Sequence, residues 1–294
     1  MPAILIYLSI IISNVTQSAS TKAFNKRSSA SLIFNSLKAS SAFLLTLAFS
    51  LAGFSFHIPT ALFGIGHGVL LSISMYAGYQ ALCRGPMALT SMLVSFSVVI
   101  PFLWGVTVMD EPMGAFKIIA VVLLISAIIC TNADKIFSRQ KEKMSGFLVW
   151  LAFVLATFVC NGISSVLQKE HQSSFPGQYN REFTVFALFV CTVVYAALYI
   201  FNLMKGKKPA DSANGSGTKG LWLALLAGAT TALSGVLTLW LASFEDASIL
   251  FSIISAGGIL GSLTCGGLVF KEKLKLNHYL ALVLGIVSII LMKL

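Results

Sequence analysis

The sequence predicts an all-α membrane protein whose ten transmembrane helices form two inverted five-helix repeats. Three observations predict it: an apolar composition, ten apolar runs of spanning length, and a match of the chain with itself. Of 294 residues, 57% are hydrophobic and 10% charged, and the mean hydropathy is +0.89. A soluble domain is roughly 45–50% apolar and about 25% charged. These figures exclude disorder, a secreted disulfide scaffold and a soluble enzyme.

Apolar runs bounded by charge, Pro or Gly fall at 3–21, 32–53, 60–82, 87–108, 113–131, 147–169, 182–203, 219–242, 247–269 and 275–293. Each is close to the ~20 apolar residues that a membrane helix needs. The first run has neither a basic start nor a small-residue cleavage site, so it reads as a permanent span rather than a signal peptide. Most connections are tight. The longer ones are 132–146, read as a cytoplasmic linker, and 204–218, rich in Lys, Gly and Ser and read as a flexible solvated segment. The chain thus divides into a first repeat over 1–131 and a second over 147–294.

The net charge of +10 is positional. On alternate loops, fifteen Lys and Arg fall on one side and four (Lys117, Lys169, Arg181 and Lys293) on the other, with Lys38 left out because it lies inside the second run. Cytoplasmic loops carry the excess of basic residues, which places both termini outside. The same reading makes the basic excess a topology signal with no nucleic-acid partner. The five cysteines are scattered through apolar stretches without a Cys-x-x-Cys pair, so they frame neither disulfides nor a metal site. No cofactor is expected.

A shift of 161 residues aligns 81–130 with 242–291 at twelve identical positions of fifty, including Gly105 with Gly266 and Glu111 with Glu272. A shift of 147 pairs Asn14 with Asn161, Ser18 with Ser165 and Lys22 with Lys169. Each half holds five spans, and an odd number inserts the second half upside down. That is the inverted-repeat plan of carriers that alternate access around a midplane site.

Tyr79-Gln-Ala-Leu82 ends the third run and Trp240-Leu-Ala242 the eighth, while GVTVMDEP (105–112) and GGLVFKEK (266–273) place glycines ahead of an acidic turn. In these motifs the chain resembles the ten-helix EamA-like transporters of the drug/metabolite transporter superfamily. The resemblance implies a multi-pass inner- or plasma-membrane carrier, most often exporting amino acids or related metabolites.

Asn14, Ser18 and Lys22 are spaced i, i+4, i+8 and share one helix face, and Asn161, Ser165 and Lys169 repeat that face. An unpaired polar group in hydrocarbon costs several kcal/mol, so the two stripes are expected to face protein or water and to line a substrate passage. Interhelical packing through small polar residues is the competing reading. Tyr76, Tyr79 and Gln80 of the third run and Trp240 of the eighth are candidate lining residues, as those helices are in the family. Ser95 and Ser97 of the fourth run, with Ser252 and Ser255 of the ninth, are candidate substrate contacts.

All ten acids lie at run ends or in loops. A proton-coupled pump for lipophilic cations needs an intramembrane carboxylate; the related small multidrug pumps place a Glu in their first helix, where Asn14 and Asn161 stand here. A neutral, zwitterionic or anionic substrate follows. Glu111 and Glu272 are expected to complement the N-termini of their own helices, with Pro112 in the first turn. His67 reads as a lone hydrogen-bonded histidine, and Pro101 with Gly257, Gly258 and Gly261 as points where helices bend. The expected function is a secondary transporter of a small organic metabolite, working as a monomer or weak homodimer. A lipid-linked-sugar flippase or accessory membrane subunit is the alternative. An enzyme is not expected, because the runs carry no His/Asp/Glu cluster and no nucleophile–base pair.

Overall fold

A computed structural model describes residues 2–25, 31–108, 114–116, 119–120, 122–123, 126–127, 141–204, 218–243, 247–272 and 276–291. Among them there is no strand, and nearly every residue is helical. The helices are α1 (Pro2–Asn25), α2 (Ser31–Ser50), α3 (Ile58–Arg84), α4 (Met87–Ser95), α5 (Val99–Val108), α6 (Lys141–Ser174), α7 (Asn180–Met204), α8 (Thr218–Ala242), α9 (Ala247–Leu268) and α10 (Leu276–Leu291). Seven described helical stretches are long and apolar enough to cross a membrane: α1, α2, α3, the α4–α5 stretch, α6, α7 and α8. Shorter apolar helices lie at Ile253–Leu268 and Tyr279–Ser288. The chain is a helical, multi-pass membrane protein. Most of the fifth run, Glu111, Pro112, Lys117 and residues 205–217 fall outside the described residues.

The helix ends follow from their residues. Pro59 sits in the first turn of α3, where its missing N–H is no loss, and Gly85-Pro86 ends that helix because the residue before proline avoids helical angles. Between α4 and α5 the chain tightens into a 3-10 turn at Phe96–Val98. Pro101, at the third position of α5, has no N–H for the Ser97 carbonyl, and its ring crowds that group. The interruption expected near Pro101 is therefore seen as the 3-10 turn just before it. By contrast α9 runs unbroken through Gly257, Gly258 and Gly261, and these glycines serve packing instead of bending. A Cβ on Gly261 would stand 2.6 Å from Val15, and one on Gly257 would run into Ile11, so α9 lies tightly on α1. One boundary also changes. α6 begins at Lys141, so part of the expected linker is helical, and it continues to Ser174 because nothing stops it before Pro176 and Gly177 (φ 68°).

The molecule is apolar outside and polar within. Ile4, Leu5, Phe49, Leu62 and Trp222 expose more than half of their surface, while Asn35, Lys38, His67 and Ser74 are buried. This inversion suits a lipid surround, where the interior is the only place a polar side chain finds partners. Helices of the first half pack on helices of the second: α3 on α6 and α7, α2 on α7 and α8, α1 on α8 and α9, and α4 on α9. Two glycines let backbone meet backbone closely. A Cβ on Gly228 of α8 would lie 2.6 Å from the Lys38 carbonyl of α2, and one on Gly68 of α3 would lie 2.5 Å from the Ala187 carbonyl of α7. Without a hydrophobic force between helices in lipid, such small-residue contacts carry the association.

Candidate functional site

Between these crossings lies a cavity of about 400 Å³, within the size range of small-molecule sites. Its wall draws on α1, α2, α3 and α4 from the first half and α6, α7, α8 and α9 from the second. The polar stripe of α1 contributes Asn14, Gln17, Ser18 and Thr21, and that of α6 contributes Thr157, Asn161, Ser164, Ser165 and Gln168. Among the described residues no carboxylate lines the cavity, and Lys38 is the one ammonium that does.

Of the residues expected from the sequence, Asn14, Ser18, Tyr79, Ser95, Ser97, Asn161, Ser165 and Ser255 line this cavity. Asn161 is held in place by Ser74, whose hydroxyl donates to its Oδ1 at 2.5 Å, while the Ser165 hydroxyl turns back to the Asn161 carbonyl. Tyr79 is buried and stands against Phe34 at 5.6 Å between ring centroids. Lys22, Tyr76, Gln80, Lys169 and Trp240 are not among the lining residues. Tyr76 and Trp240 are more than a third exposed, and the Gln80 side chain accepts a hydrogen bond from Arg84. For Lys22 and Lys169 the reason is geometric: a stripe spaced by four drifts around a helix of 3.6 residues per turn and climbs about 6 Å per step, so its third member lies well along the helix from the first. The side chain of Ser252 lies outside the described residues.

Lys22 has a different task. Its ammonium donates to the carbonyls of Leu82 (3.0 Å) and Gly85, and stands 3.9 Å from Glu272. Glu272 serves a helix other than the one expected from the sequence. Its Oε1 and Oε2 accept the backbone N–H groups of Met87 (2.6 Å) and Ala88 (3.0 Å), capping α4 from the other half of the chain. An acid at the positive end of a helix is the favourable partner wherever it comes from in sequence. Leu82 lines the cavity, so this cluster adjoins it.

A second polar cluster adjoins the cavity elsewhere. Phe183, a lining residue, stands between the rings of His67 (5.1 Å) and His171 (4.8 Å). The Thr60 hydroxyl bridges His171 Nε2 (3.0 Å) and His57 Nδ1 (2.9 Å), and His171 Nδ1 faces the Gln172 amide nitrogen at 3.1 Å. That amide also donates to Asn180. An amide nitrogen only donates, so for neutral rings His171 accepts at Nδ1, donates from Nε2 to Thr60, and Thr60 donates onward to His57. His57 stacks flat on Tyr179 at 4.3 Å. Nearby, Glu182 is buried and accepts from the Ser55 backbone N–H at 3.0 Å. Thr60→Val leaves two imidazole nitrogens without their partner, each unmade bond costing about 1–3 kcal/mol. The expected outcome is a melting temperature lowered by several degrees, read by thermal unfolding in detergent.

His67 is only partly what the sequence suggested. Its Nε2 is 3.5 Å from Gln168, its Nδ1 has no partner, and it lines the cavity. Lys38 and Asn35 were missed. A lysine inside an apolar run was itself the signal, since ionisable residues in spans face the interior.

No known protein family's sequence profile matches the chain, and no curated protein resembles it in sequence. The fold does have likenesses among solved structures, in 28 matching chains. One protein of known crystal structure superimposes over 99% of this chain and 96% of its own with a TM-score of 0.69, at 15% sequence identity. At that identity the likeness is one of fold alone.

Proposed function

We propose that this chain is a secondary transporter of the EamA-like kind, moving a small amino-acid-like, zwitterionic or anionic metabolite across the inner or plasma membrane by alternating access, in the direction of export. The observation that carries the reading is a polar cavity, with no carboxylate among its described lining residues, walled by helices of both halves. Its polar groups converge from separate helices, as a solute passage requires and a packing seam does not. Ten spans in two inverted repeats account for the packing. Exchanging α1, α2, α3 and α4 with α6, α7, α8 and α9 turns α1 on α8 into α6 on α3, turns α2 on α8 into α7 on α3, and returns α2 on α7 and α4 on α9 to themselves. The Lys22–Glu272 and Thr60–His171 clusters adjoin the cavity in different places and are suited to closing it alternately.

Counterflow into proteoliposomes tests the proposal. Vesicles loaded with unlabelled amino acids, organic acids, amines or sugar phosphates are expected to accumulate the labelled form of at least one, and Asn161→Leu is expected to lower that rate at least tenfold. Absence of flux for every member of a broad panel contradicts it.

A further inference from the structure

Lys38 is about 95% buried on α2 and lines the cavity, and no hydrogen bond or ion pair reaches its ammonium among the described residues. One turn earlier on the same helix face, Asn35 is 1% exposed, and its side-chain nitrogen has no partner. Two unmet donors one helical turn apart therefore stand in one wall, and among the described residues no lining carboxylate answers them. Taking an ammonium out of water costs several kcal/mol unless an opposite charge meets it. No described residue supplies that charge, so a cavity with this wall is completed by a ligand that does. Elsewhere on the wall, Ser164 Oγ and His67 Nδ1 are likewise buried without partners. These groups suit the hydroxyl or amino substituents of the same ligand.

We infer that the cavity takes a small organic anion, its single carboxylate or phosphate group held by Lys38 Nζ and Asn35 Nδ2 and its hydroxyl- or amino-bearing remainder against Ser164 and His67. The inference rests on the carrier reading and narrows its substrate class. One ammonium matches one anionic group, so molecules bearing several phosphates are excluded. The shared chemistry is a carboxylate or phosphate, whether carried by a free metabolite or by a lipid headgroup.

Thermal unfolding of the purified protein tests it, with serine, gluconate, glycerol 3-phosphate and inorganic phosphate as probes beside neutral amide and alcohol analogues. A parallel arm uses nanodiscs with and without phosphatidylglycerol. At least one anion is expected to stabilise the wild-type protein where its neutral analogue does not, and Lys38→Met is expected to weaken it at least a hundredfold. Unliganded Lys38→Met is expected to melt higher than wild type, because an unpaired buried charge has been removed; a lysine holding the fold together would give the opposite sign. Should Lys38→Met fail to fold, Asn35→Ala, which keeps the ammonium, is expected to weaken the same anion about tenfold. Stabilisation confined to the phosphatidylglycerol nanodiscs and lost in Lys38→Met supports the anion site and makes the anion a lipid's. The inference is overturned if no anion binds in either arm, or if wild type and Lys38→Met bind anions alike. Lys38-dependent binding without flux leaves the site standing and sinks the carrier reading; flux of neutral solutes untouched by Lys38→Met does the reverse.

Discussion

Gly228→Leu is expected to leave almost no folded protein. A Cβ there would stand 2.6 Å from the Lys38 backbone carbonyl, which cannot swing aside as a side-chain tip does. To admit four more carbons, α8 must move away from α2, and the wall bearing Asn35 and Lys38 moves with it. Overpacking a filled interior costs about 1–3 kcal/mol and more where backbone is the obstacle, and in lipid no hydrophobic force draws the separated helices back. The measurement is the monodisperse fraction on size-exclusion chromatography, with Gly267→Leu as the control. A Cβ at Gly267 meets nothing within 4 Å, so that variant is expected to behave as wild type. Equal yields from the two variants would refute the packing argument.

Glu272→Ala is expected to destabilise the protein by about 3 kcal/mol and to open the Lys22 side of the cavity. The carboxylate joins two backbone donors of α4 to the ammonium of Lys22, with the two side chains 12% and 15% exposed. Removing it uncaps a helix, which costs about 0.5–2 kcal/mol, and takes the counter-charge from a largely buried ammonium that keeps the carbonyls of Leu82 and Gly85. A double-mutant cycle with Lys22→Met separates the two effects, because the cap loss persists without the lysine whereas the charge penalty vanishes. An unchanged melting temperature in Glu272→Ala would show that the contact carries no weight.

The legible part of this protein was the part governed by periodicity and solvent. Apolar runs place the described spans to within a few residues, α6 excepted, because a backbone in hydrocarbon must satisfy its own hydrogen bonds and an apolar run of this length does so as a helix. Asn14, Ser18, Asn161 and Ser165 were found for the same reason, as polar side chains sharing a helix face. What sequence spacing does not carry is contact between distant segments. Glu272 looked like a cap for its own helix and proved to be one for α4, 185 residues away. Gly257 and Gly261 looked like flexible points and proved to be seats for Ile11 and Val15, since a glycine reads alike whether it bends a helix or admits a neighbour. Lys38 was passed over as an anomaly of loop counting, although its anomaly was the information.

The proposed carrier needs one cavity reached from both faces of the membrane in turn, which is testable before any substrate is known. In a background with all five native cysteines replaced, single cysteines at Ser95 and Ser165, both lining residues, are exposed to a membrane-impermeant thiol reagent from each side of oriented vesicles. Labelling of the same position from both sides, with access from one side lost when the protein is trapped open to the other, is the result predicted here. Labelling from one side only under every condition would contradict alternating access and leave a cavity that transports nothing.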